Sequence, residues 1–204
     1  MHFSKLFAPL ALASTAFSAA TPQQIADGIK LITQKSAALQ APAQSITALN
    51  APLIAIGGGP FPTIIAGFQD IISTANTIIS QLPGTQAIQK RASDHPRDFA
   101  VEKEESGLIT RAADADLVFD TFREFVRVHQ ALLNILIGKA GILAKVPVIG
   151  QPVATVLRGV EGVVDTIAIN LINLTQARAG DLTAEANTID ATLVLTIQSY
   201  DSIA

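Results

Sequence analysis

The chain of 204 residues has no cysteine and no tryptophan, a single tyrosine, three histidines and only 15% charged residues. Each shortage excludes something. Without cysteine there is neither a disulfide nor thiolate chemistry, so stability must come from packing. Of the histidines, His2 falls in an N-terminal leader and His95 in a charged segment, leaving His129 alone on an amphipathic stretch. A metal site needs several such ligands, so no metal and no other cofactor is expected. No serine stands in a Gly-x-Ser-x-Gly elbow, and Gly57-Gly58-Gly59 lacks the Lys and Ser/Thr that complete a phosphate loop. The carboxylate pairs Asp116/Asp120 and Glu161/Asp165 lack the aromatic platforms of a sugar cleft and read as solvated helix faces. The expectation is that the protein is not an enzyme. The net charge of −3, with no basic stripe among aromatics, argues against a nucleic-acid partner.

Residues 1–20 follow the order of a signal peptide: Lys5, the apolar run Leu6 to Phe17, then Ser18, Ala19 and Ala20. That run is too short to span a bilayer. The longest uncharged stretch, 36–69, is interrupted by Pro42, Pro52, Pro60, Pro62 and the glycine triplet, which would leave backbone groups unsatisfied in hydrocarbon. The sequence therefore predicts a secreted protein, extracellular or in a cell wall, and not a transmembrane one.

Charge divides the remainder. Residues 21–89 carry only Asp27, Lys30, Lys35 and Asp70, whereas 90–111 hold ten charges of both signs with Pro96 and Gly107 among them. Such a segment buries no face and reads as a flexible linker between two helical halves, 21–89 and 112–204, of one bundle domain. Lys90-Arg91 within it has the dibasic form that processing proteases cut, although an ordinary solvated pair is the commoner meaning of so short a motif.

Apolar spacing supplies the elements. Pro22, after Thr21, opens a first helix with Ile25, Ile29, Ile32, Ser36, Leu39, Ala43 and Ile46 along one seam, which Pro42 should kink or split. A Gly/Pro turn over 51–62 precedes a second stripe, Phe61, Ile64, Ile65, Phe68, Ile71, Ile72, Ala75 and Ile78, ended by Pro83-Gly84. The second half repeats the plan: a helix with Val118, Phe119, Phe122, Phe125, Val126, His129, Leu132, Leu133 and Leu136 on its dry face, a turn at Gly138, Gly141 and Pro147, then Val153 to Leu174. A fifth helix, Leu182 to Tyr200, is appended. The fold class expected is all-α, a bundle of about five amphipathic helices built from two helix-turn-helix halves. Residues 65–72 and 157–164 match in pattern, which suggests a diverged duplication.

His129 has two readings. A single histidine on an aliphatic face is usually a core residue bonded to a neighbour such as Gln130 or Arg127. The sharper reading places it at the mouth of an apolar cavity, against a ligand's polar head. Asn173-Leu174-Thr175 is the one glycosylation sequon.

The stretch from Phe122 to Gly141 (FREFVRVHQALLNILIGKAG), with Leu157 to Thr166 (LRGVEGVVDT) and the turn Gly59-Pro60-Phe61-Pro62, resembles secreted fungal proteins described as UV-inducible. Those look like relatives of the fungal hydrophobic-surface-binding and cell-wall mannoprotein family. The resemblance covers most of 21–200 apart from the charged segment. It implies a secreted helical protein that adsorbs to hydrophobic solids or holds fatty acids, in some members recruiting a secreted esterase, and it carries no catalytic residues.

Residues and resemblance together predict a non-enzymatic binder of hydrophobic surfaces or lipids, fatty-acid-like in class. The ligand lining expected is Phe61, Ile65, Phe68, Phe119, Phe122, Phe125, His129 and Leu133, all equally good core residues. The alternative is a structural protein of the cell wall or a secreted effector that acts through protein contacts.

Overall fold

The computed structural model describes residues 20–54, 57–82, 101–144, 146 and 149–203, with the side chains of 54 and 101–111 outside the description. The expected leader (apart from Ala20), the Lys90-Arg91 pair and His95 lie outside the described residues. The described secondary structure is all helical, as the periodicity predicts: α1 (Pro22–Gln44), α2 (Ala51–Ile54), α3 (Phe61–Gln81), α4 (Val101–Leu143), α5 (Gly150–Leu174) and α6 (Ala179–Asp201).

Local chemistry explains the ends. Thr21 and Gln24 form a reciprocal cap on α1: Gln24 N–H donates to Thr21 Oγ1 at 3.2 Å, and Thr21 N–H to Gln24 Oε1 at 2.8 Å. At the other end the Lys139 ammonium donates to Gln44 O and Ile46 O, at 2.9 and 2.8 Å, and so satisfies carbonyls that a helix terminus leaves open. Pro42 neither splits nor ends α1, which continues to Gln44. So near a C-terminus, the bond that proline removes is one of the last in the ladder. Gly57 and Gly59, both with φ above +70°, take the left-handed conformations of the following turn.

α4 differs most from expectation. It starts at Val101, inside the segment predicted to be linker, and runs through Gly138 and Gly141 to Leu143. Glu102, Lys103, Glu104 and Glu105 are strong helix formers, and one exposed glycine costs a helix only about 1 kcal/mol.

The five long helices close into a ring in the order α1, α4, α6, α5, α3, with α3 returning to α1. Pairings fix the directions. Ser36 meets His129, and Asp116, Gln130 and Leu136 meet Arg178, Thr192 and Tyr200, so α1, α4 and α6 run parallel. Lys35 bonds Asp70 and Arg158 bonds Asp201, which sets α3 and α5 antiparallel to the other three. The fifth helix is thus not appended to a finished hairpin: α6 lies between α4 and α5 and closes the ring. α3 approaches its neighbours over glycines, since a Cβ on Gly28 of α1 or Gly159 of α5 would come within 2.8 Å of Ile78 or Ile72.

Neighbouring helix axes 8–10 Å apart put each axis of such a ring roughly 7–8 Å from the centre. That leaves a central column for large side chains to fill. The buried residues of all five helices form one continuous apolar cluster along it.

Candidate functional site

Phe68 from α3, Phe122, Phe125, His129 and Leu133 from α4, and Ser36 from α1 are all buried in this column. Their rings touch. His129 lies 5.3 Å from Phe125 and 6.2 Å, edge to face, from Phe68, while Phe122 lies 6.1 Å from Phe125. The 3.6-residue period puts Phe122, Phe125, His129 and Leu133 on one side of α4, and Phe68 faces them across the ring.

His129 is fully buried, so it stands inside the column and not at a mouth. Neither Gln130 nor Arg127 partners it. Gln130 turns outward to Thr188 O and Thr192 Oγ1 on α6, and Arg127 pairs with Glu124. Its partner is Ser36, whose hydroxyl lies 2.8 Å from Nδ1. The same hydroxyl donates to Ile32 O at 2.9 Å. Nε2 is buried and has no hydrogen-bond partner. Removal from water holds the imidazole pKa down at about 4, so the ring is neutral at ordinary pH.

A serine beside a histidine invites comparison with a nucleophile and its base, and here both are buried in the column. A nucleophilic serine gives its hydrogen to the imidazole. The Ser36 hydroxyl has one hydrogen and two groups within reach, Ile32 O and His129 Nδ1, and the imidazole tautomer sets which of them receives it.

Three other interior polar groups satisfy themselves on helical carbonyls. Thr121 donates to Leu117 O at 2.7 Å, Thr196 to Thr192 O at 2.6 Å, and Tyr200, whose phenol pKa burial pushes up, to Leu136 O at 2.9 Å. Among the described residues, Nε2 shares its lack of a partner with one other buried side-chain atom, Thr175 Oγ1 at the end of α5.

Three residues of the predicted lining sit apart from the column's centre. Phe61, at the first position of α3, and Ile65 are half-buried against the core. Phe119 is half-buried under the Arg178 guanidinium, 5.3 Å from its ring, which Asp116 and Asp181 hold in place. Along the run 131–137, Ala131 and Asn134 are exposed, and Ile135 and Ile137 half-buried. Asn173 is exposed in the last turn of α5, yet the Thr175 hydroxyl of its sequon is buried and without a partner.

Two surface depressions lie elsewhere, one of mixed lining that includes Ile72 and one mainly polar. One, of about 600 Å³, follows Gln69, Ser73, Asn76 and Ser80 on the outside of α3; the other, of about 520 Å³, lies between α4 and α6 beside Arg123, Arg127 and Glu185. Neither reaches the aromatic column. Ser36 is the site residue that sequence reasoning left out. Its signal was present, a hydroxyl on an otherwise apolar seam of α1.

No family model matches the chain, and no curated protein matches it in sequence. Among solved structures the fold is similar to that in the crystal structure of AfMp4p in complex with palmitic acid. The TM-score is 0.68 and the identity 14%, over 88% of this chain and 99% of that one.

Proposed function

We propose that the protein binds a single-chain lipid of the fatty-acid class within its five-helix ring, without catalysing a reaction on it, and that it does so outside the cell or in a cell wall. The observation that carries this reading is the closed ring around one continuous apolar column, interrupted at His129 by a polar atom with no partner. Helices of 21 to 25 residues are about 32–37 Å long, more than the length of an extended sixteen-carbon chain. A chain lying in the column exchanges contacts with Phe and Leu side chains for equivalent apolar contacts, at roughly 25 cal/mol per Å² removed from water. The neighbour of similar fold was crystallised with palmitic acid, which supports the same class of ligand here. The leader-like order of residues 1–20 supports secretion. Leu49, 92% exposed, and Leu53, 48% exposed, beside the glycine turn, also suit adsorption to an apolar solid.

The test is direct. Purified protein is extracted with organic solvent and the extract examined by mass spectrometry, and the delipidated protein is then titrated with a fluorescent fatty acid. Co-purified lipid, or saturable uptake of about one chain per molecule, is expected. Failure to take up the probe, together with passage over hydrophobic beads without retention, would overturn the reading.

A further inference from the structure

We infer that His129 Nε2 is a hydrogen-bond acceptor for the head of the bound lipid, so that the interior selects chains ending in an O–H donor, an alcohol or an un-ionised acid, over esters and carboxylates. This rests on the reading that the column takes a lipid chain, and adds which chemistry the head must have.

The assignment follows from counting hydrogens. The Ser36 hydroxyl has one to give, and it lies within bonding distance of two groups, Ile32 O at 2.9 Å and His129 Nδ1 at 2.8 Å. A carbonyl oxygen can only accept. Both bonds form together only if Ser36 donates to Ile32 O and receives the hydrogen on Nδ1. A neutral imidazole then has no hydrogen left for Nε2, which keeps a bare lone pair. Nε2 is buried, unpartnered and among the rings of Phe68 and Phe125, so a polar group brought beside it is removed from water. An O–H satisfies both partners. An ester offers only acceptors, and a carboxylate adds a buried charge facing a lone pair.

The experiment equilibrates delipidated full-length protein with an equimolar mixture of hexadecanol, methyl hexadecanoate and hexadecane delivered from cyclodextrin, re-isolates it and quantifies the bound lipid. Hexadecanol should be enriched roughly tenfold over the methyl ester, the equivalent of one buried hydrogen bond. A separate calorimetric titration with hexadecanoic acid near pH 7, in two buffers of different ionisation enthalpy, distinguishes alcohol from acid. Retention of the acid with uptake of one proton supports the inference, and retention without proton uptake overturns it. Ser36→Ala frees the imidazole to carry its hydrogen on Nε2, and the preference for alcohol over ester should vanish or invert. On wild-type protein, ¹⁵N shifts of the imidazole give a reading independent of any variant's folding. Nε2 should be the unprotonated nitrogen, and a protonated Nε2 overturns the inference. Equal retention of alcohol and ester would overturn it and leave the lipid-binding reading standing; retention of none of the sixteen-carbon ligands would remove that reading as well.

Discussion

Ser36 on α1 and His129 on α4 meet at 2.8 Å across a parallel helix pair, far from water and among aromatic rings. The pair joins two helices through polar groups inside a largely apolar column, and its loss should be felt as more than a lost contact. Ser36→Ala leaves Nδ1 buried without a partner, which should cost about 1–3 kcal/mol. Replacing both residues, Ser36→Ala with His129→Leu, removes the need for the bond altogether. Denaturant unfolding of the two single variants and the double variant should therefore be non-additive, with the double variant less destabilised than the sum. Strict additivity would mean that the two groups do not interact.

The same burial ties stability to pH. His129 has a folded pKa of about 4 against an ordinary value of 6.5, so between those values the unfolded chain binds a proton that the folded protein does not. Stability present above pH 6.5 is then lost progressively as the pH falls towards 4, by about 3 kcal/mol in all. Glu161 and Asp165 act in the opposite sense. Desolvation first raises both pKa values, followed by the Asp165 and then the Asp190 carboxylate for Glu161 and by Asp190 for Asp165, so their repulsion is relieved in acid. Thermal melts from pH 7 to pH 4 should fall steeply in the wild type and much less in His129→Leu. An equal slope in both would locate the acid sensitivity elsewhere.

Much of this architecture was legible in the sequence because a period of 3.6 residues marks a buried stripe wherever it occurs. Ile25 to Ala43, Ile64 to Ile78 and Val153 to Leu171 all face inward as their spacing requires. The ring order was not legible. It depends on which stripe meets which, and nothing local in Leu182 to Tyr200 says that this helix will lie between α4 and α5. The start of α4 is hidden in the sequence because the mixed charge of 90–111 masks the helix propensity of Glu102 to Glu105. In the site, Phe68, Phe122, Phe125, His129 and Leu133 do converge, since an apolar stripe and a column lining are the same residues in a closed ring. Phe61 and Phe119 share those stripes by spacing, yet one begins its helix and the other is covered by a guanidinium that the sequence does not show approaching.

That distinction among the phenylalanines is measurable. Phe68, Phe122 and Phe125 are at most 2% exposed, so truncation to alanine should cost about 3–5 kcal/mol each, transfer and cavity together. Phe61→Ala and Phe119→Ala empty half-buried positions that water can reach, and should cost clearly less. If lipid occupies the column, the three interior truncations should also raise the capacity for a bulkier chain, whereas the two outer ones should leave uptake unchanged. Chemical denaturation read beside fluorescent fatty-acid titration separates the two groups.

Glycines give the sharpest contrast of all, because the same substitution should change sign with position. Gly150 opens α5 directly beneath the end of α6, where an added Cβ would run into the backbone carbonyls of Tyr200 and Ile203. Backbone cannot rotate aside as a side chain can. Gly150→Ala must therefore push the two helix ends apart, and a loss of about 1–3 kcal/mol is expected, as for other overpacked core sites. Gly141, in the last turn of α4, and Gly162, in the middle of α5, have open space where the Cβ would go. There alanine restricts the unfolded chain and suits the helix, so each should gain about 0.4–1 kcal/mol. Calorimetric melting of the three variants decides it: a Gly150→Ala protein as stable as the wild type would mean that α5 and α6 do not meet at this point, and with that contact the ring would lose one of its closures.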